Sequence, residues 1–138
     1  MEEIIAPVER DLIKAELTRE AFLRYTNNGN NEVYLVNYHT APNIMREIGR
    51  LREVTFRAAG GGTGQPLDID ENDTCTHNYD QLIAWNPDDE EIIAGYRTIR
   101  CDQSVDEEGN IHLSTSHYFE FSDEFNKDYL PYTIELGR

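Results

Sequence analysis

Gln81-Leu82-Ile83-Ala84-Trp85-Asn86-Pro87-Asp88-Asp89-Glu90-Glu91-Ile92-Ile93-Ala94-Gly95-Tyr96-Arg97-Thr98-Ile99-Arg100 is the stretch on which the fold turns. Two runs rich in β-branched and aromatic residues, 81–85 and 92–100, flank the turn cluster 86–90, so the chain doubles back there as a hairpin. Arg97 stands inside the second, otherwise apolar run. An unpaired buried charge is expensive, so this arginine requires a carboxylate partner. The acidic loop around Asp70 and the late Glu135 are the candidates.

Upstream, Val8, Leu12 and Ala15 share a helical face, and Thr18 reads as a restart at a cap, which predicts helix over 8–26 in two pieces. The turn cluster 27–31 ends it, and the alternating run 32–38 predicts a strand. Thr40 is the expected cap of the next helix, with Pro42 in its first turn. Ile44, Ile48, Leu51 and Thr55, with Met45 and Phe56 beside them, predict that helix over 42–58. Gly60-Gly61-Gly62-Thr63-Gly64 stops it and reads as a flexible lid, followed by an acid-rich loop to about residue 78.

Downstream, 102–110 is a polar connector, and 111–121 carries mixed signals with Tyr118, Phe119 and Phe121 expected in the core. Ser122 is placed to cap a short helix, and Pro131 leads into a final strand over 132–136. Helices, a central hairpin and flanking strands in this order predict an α/β or α+β layer around an antiparallel-rich sheet.

The composition narrows the function. The 138 residues suit one ordinary domain, and 27 acidic against 12 basic residues give a net charge of −15. So negative a chain has no general field for nucleic acid. No apolar run is long enough to span a membrane, and Met1-Glu2-Glu3 lacks the basic start of a secretion signal, so the expected location is cytoplasmic. Cys75 and Cys101 form no Cys-x-x-Cys, and Cys101 reads as a small core residue at a strand end. His39, His77, His112 and His117 are scattered, and no metal site is expected.

Four local features carry chemistry. Arg52 and Phe56 lie one turn apart on one helix face. Asp68, Asp70, Glu71 and Asp73 crowd into six residues without the spacing of a calcium loop. Arg97 sits in its apolar strand, and Glu135-Leu136-Gly137-Arg138 closes the series. The glycine run is not a phosphate loop, because no Lys-Ser/Thr follows and it comes after a helix. Each feature also has a plain structural reading, in which the charges form one network that closes the loop and touches no substrate.

In this order, Leu51-Arg52 with Phe56, Asp70 with Asp73, Arg97, and Glu135 with Arg138 resemble the GNAT-superfamily acyltransferases that take long acyl chains from acyl carrier protein. That group includes acyl-homoserine-lactone synthases and the ornithine and glycine N-acyltransferases of bacterial aminolipid synthesis, and 45–100 is most similar to their hemolysin-like branch. The resemblance implies a GNAT-like α/β fold, a mixed, antiparallel-rich sheet flanked by helices, truncated after the fourth core strand. Residues 1–31 would be a helical extension and 32–138 the N-terminal half of the acyltransferase domain, inactive alone. It implies Glu135 as base or water positioner, and Arg52, Phe56, Asp70, Asp73, Arg97 and Arg138 as the substrate-binding set. The implied co-substrate is acyl-ACP or acyl-CoA, with no other cofactor and no metal. The implied acceptor is a small amino acid such as glycine or ornithine. The alternatives are a non-catalytic half-domain interaction module and a homoserine-lactone synthase.

Residues 41–60 carry Arg46, Arg50, Arg52 and Arg57 against Glu47 and Glu53, a local balance of +2 suited to docking an acidic carrier protein. Peripheral membrane contact and a homodimer through the edge strand at 132–137 complete the expected partners.

Overall fold

The computed structural model describes residues 1–138. The hairpin forms from β3 (Asp80–Asn86) and β4 (Glu91–Arg100). The Asn86 side-chain oxygen accepts the Asp88 N–H at 2.9 Å and the Asp89 N–H at 3.2 Å, and this sets the turn. β1 (Phe22–Tyr25), β2 (Glu32–Val36) and β5 (Ile134–Gly137) complete a five-stranded sheet in the order β1-β2-β3-β4-β5, every pair antiparallel. β1 and β5 are its edges.

Register decides the site. Gln81 lies opposite Arg97 and Ile83 opposite Gly95, while Arg97 lies opposite Gly137 and Ile99 opposite Glu135. A strand has a period of two, so Gln81, Ile83, Trp85, Arg97, Ile99 and Glu135 share one face. The pairing slips between Ala84 and Trp85, and this bulge in β4 stands beside Gly95.

The long helix α2 (Pro42–Ala58) covers that face. Its Ile44, Met45 and Ile48 pack with Tyr34, Val36, Ile83 and Trp85, and Val8 and Ile13 of the N-terminal segment join the same core. Each such side chain, fully buried, contributes about 1.5–3 kcal/mol. Tyr79, Ile99, Cys101, Leu113 and Leu130 form a second cluster where 101–130 folds over the end of β4. Cys101 is buried at that strand end, as its reading predicted. No helix is long and apolar enough to cross a membrane.

Several local expectations change. The helix predicted over 8–26 is only α1 (Arg10–Glu16), and Phe22–Tyr25 is a strand. Phe22 packs edge-on against Tyr34 of β2 at 5.6 Å, and Leu35 N–H reaches Ala21 O at 2.9 Å, so sheet pairing overrides local helix preference. Thr40 does not cap α2. The Glu16 carboxylate does, accepting Asn43 N–H at 3.0 Å and Ile44 N–H at 2.8 Å, a cap brought from α1 across the fold. Tyr118 and Phe119 are exposed, at 80% and 67%, and supply no core. The last strand begins two residues later than predicted, because Leu130–Tyr132 forms a 3-10 turn. Ser122 does receive Phe125 N–H at 3.1 Å, ahead of a π-turn at Phe125–Tyr129.

The acidic loop crosses α2 at Gly49. Asp68 N–H donates to Gly49 O at 2.9 Å, and a Cβ at Gly49 would meet Ile69 at 2.7 Å. Only glycine lets the loop lie that close. It then forms the short helix α3 (Glu71–Thr74).

Candidate active site

Asp70 caps α3. Its carboxylate accepts Asn72 N–H at 3.0 Å, and Asp73 reaches back to Asp70 N–H at 3.1 Å, a reciprocal capping box. This fixes both carboxylates over the β3–β4 face. Arg97, 2% exposed, donates to Asp70 Oδ1 at 2.7 Å and stands 3.5 Å from Asp73 Oδ1. Arg52 of α2 donates to Asp73 Oδ2 at 3.0 Å and to Gln81 Oε1 at 2.8 Å, and Gln81 Nε2 returns a bond to Asp73 Oδ1 at 2.9 Å. Arg138 donates to Asp68 and, at 2.8 Å, to Asp70 Oδ2. Five of the six residues expected to bind substrate thus converge, joined by Asp68 of the acidic cluster and by Gln81. The partner demanded by Arg97 is the acidic loop, not Glu135.

Burial opposes the Asp70 anion, but Arg97, then Arg138 and the Asp73 N–H, outweigh it and hold the carboxyl below its ordinary range. Burial likewise opposes the Arg97 cation, and Asp70 and Asp73 more than offset it. The aspartate oxygens that a calcium ion would need face guanidinium groups instead. One donor in the network, Arg97 Nε, is buried without a partner.

Glu135 stands beside this network rather than in it. Tyr79 OH donates to Glu135 Oε1, and Thr115 donates to Oε2 through its N–H at 3.3 Å and its hydroxyl at 2.5 Å. Tyr79 OH itself accepts Ser114 N–H at 2.7 Å. Burial, then the Glu135 bond, pushes the Tyr79 phenol well above its usual range. The Arg97 guanidinium lies over the Tyr79 ring at 4.9 Å, which links the two systems. Gln81 was missed, because only the bulge between Ala84 and Trp85 shifts the hairpin register enough to set it opposite Arg97. Tyr79, at the end of the acidic loop, and Ser114 and Thr115, in a 101–118 segment without periodicity, gave no signal.

A groove of about 410 Å³ opens between α2 and the β3–β4 face. Phe56 lines it, and Arg52, Gln81 and Arg138 form its polar end.

The basic face expected on α2 does not exist as a free surface. Arg50 pairs with Glu47 at 2.7 Å, Arg57 with Glu53 at 2.8 Å and Arg52 with Asp73, leaving Arg46 as the exposed cation. Nor is the glycine run a free lid. Glu53 accepts Thr63 N–H at 2.9 Å, Thr63 Oγ1 at 2.8 Å and Gly64 N–H at 2.8 Å. Thr63 N–H above all, with Arg57, holds the Glu53 carboxyl down at about 2 against the cost of burial.

Residues 51–138 match the acetyltransferase (GNAT) domain family. Over 139 aligned residues the chain is 60% identical to a protein of Bacteroides thetaiotaomicron named glycine N(alpha)-acyltransferase, and 55% identical to one of the same name from Phocaeicola vulgatus. The whole chain is covered in both comparisons, but it spans 41% and 43% of those relatives' lengths. No solved structure matches. Network, register and family match coincide on the same residues, and the chain belongs to the acetyltransferase (GNAT) domain family.

Proposed function

We propose that the protein transfers a fatty acyl group, 3-hydroxylated in the favoured case, from the thioester of acyl carrier protein or coenzyme A to the α-amine of glycine, in aminolipid synthesis. The observation that carries this reading is the buried ionic network of Arg52, Asp70, Asp73, Arg97 and Arg138. It lies in a family member that matches, over its own length but less than half of theirs, proteins named for glycine acylation. Ornithine is the runner-up acceptor. The cytoplasm, with contact to a membrane surface, is the proposed location.

The acceptor amine must lose its proton before it attacks the thioester carbonyl, and Glu135 serves as base or as the group that orders the water taking it. The tetrahedral oxyanion then collapses and expels the thiolate, which takes up a proton. Asp70 and Arg138, with side chains 30% and 29% exposed, are the network members open to solvent, and they meet the acceptor's ammonium and carboxylate. Arg52 and Arg97 are committed to Asp73 and Asp70, so their part is to brace those acids. That mutual pairing also favours a second reading, in which the network is purely structural.

The test is mass spectrometry of products from the protein as its gene encodes it, given acyl thioester and glycine. N-acylglycine is expected, and Glu135→Gln should lower its rate by roughly 10²–10⁴-fold. No product from either thioester overturns the proposal, and unchanged turnover in Glu135→Gln removes that residue from the mechanism.

A further inference from the structure

We propose that the groove between α2 and β4 is the seat of the donor's aliphatic chain, an inference that rests on the acyltransfer reading above. Its walls are Ile48, Leu51 and Phe56 from α2 and Ile83, Ile92 and Ile93 from the sheet. Although the chain carries a net charge of −15, no acidic residue lines it. An ammonium-bearing acceptor finds no counter-ion inside such walls. Glycine, with no side chain, offers no apolar surface to fill them, so the acyl chain is the reactant whose chemistry fits.

The local structure keeps the space clear. Gly95 lies opposite Ile83 on the face that α2 covers, where a side chain would enter the groove. A Cβ built there meets only Leu82 O at 3.4 Å and Ile83 Cγ2 at 3.5 Å, so the strand would accept one. The adjacent bulge turns Ile93 to the rim, where it is half exposed. The groove follows β4 from Ile92 to Tyr96, about 14 Å at about 3.4 Å per residue. Arg52, Gln81 and Arg138 mark one end, beside the ionic network. The chain therefore lies with its carbonyl end toward those polar groups and its methyl end toward Ile92.

The experiment measures kcat/KM for a series of saturated acyl thioesters with glycine as acceptor, in the protein as its gene encodes it. Wild type is compared with Gly95→Leu and Thr55→Trp, which fill the groove from opposite walls. Thr55 is an exposed helix position, so its variant folds even if Gly95→Leu does not. Each methylene denied its place should cost the long donors about fourfold, the increment for one buried CH₂. The long-to-short ratio should then fall at least tenfold in a folded variant. If wild type makes N-acylglycines but the ratio is unchanged in folded variants, the groove is not the acyl seat, although the acyltransfer reading survives. If wild type acylates glycine from no thioester, the acyltransfer reading falls and takes this inference with it.

Discussion

Arg52 and Glu53 are neighbours on α2, both buried, and they hold down two different loops. Glu53 turns to the glycine run. It gathers two bonds from Arg57, two from Thr63 and one from Gly64, all from residues within eleven positions. Arg52 turns to the acidic loop and enters a shared system of three arginines and three aspartates drawn from α2, α3, β4 and the end of β5. The Glu53 staple is local and fully satisfied. The Arg52 network is long-range and keeps one buried donor, Arg97 Nε, without a partner. Local staples shape a loop. A shared network instead makes several elements depend on one another, and charges spread over it lie open at Asp70 and Arg138.

The contrast predicts unequal costs for equal chemistry. Arg97→Met takes one guanidinium from both Asp70 and Asp73, which are left with Arg138 and Arg52 alone, so about 3 kcal/mol of stability should be lost. Arg57→Met takes the guanidinium from Glu53 but leaves the Thr63 and Gly64 donors, so the loss should be about 1 kcal/mol. Urea unfolding of the two variants measures both. Equal losses break the distinction between shared network and local staple.

Arg52→Lys should fall between these, at about 2 kcal/mol. A lysine cannot span Asp73 Oδ2 and Gln81 Oε1 as the guanidinium fork does, and Gln81 is left short of a donor. A loss below about 0.5 kcal/mol would mean that the fork is dispensable.

How far each region was legible follows the same division. The hairpin, α2 and the demand of Arg97 for a carboxylate follow from periodicity and the cost of buried charge, and the structure contains all three. Local periodicity does not say which carboxylate answers. Asp70 and Asp73 reach Arg97 because the loop is pinned at Gly49, a packing fact no window of sequence displays. β1 was missed because four residues, Phe22–Tyr25, are too few to show a period of two, and β2 decides their state. Tyr79 and Thr115 reach Glu135, and Ser114 reaches Tyr79, only through the fold of an aperiodic segment. Chemistry-bearing residue types could be read from the chain, but their partners across the fold could not.

On the Glu53 side, Gly62 has φ of +88°, and a Cβ there would meet Glu53 Oε1 at 3.1 Å and Arg57 N at 3.2 Å. Gly62→Ala should therefore cost about 1–2 kcal/mol through the left-handed backbone alone. A neutral result in urea unfolding would show that the run rearranges freely and that Glu53 does not fix its path.

The finest discriminator is acid. The Glu53 carboxyl sits at about 2 in the folded chain against an ordinary 4.5. A depressed carboxyl adds stability that is present above its unfolded value and is lost as pH falls through the folded value. The Glu53 contribution should thus be whole above about pH 4.5 and fade between there and about pH 2. Asp70, also held low, moves stability in the same direction. What separates them is place. The amide resonances of Thr63 and Gly64 sit directly on the Glu53 oxygens, so their shifts should move with a midpoint near 2, and Glu53→Gln should abolish that movement. A midpoint near 4.5 would mean that the staple does not hold the anion, and the local, fully satisfied side of the comparison would fail while the shared network stood.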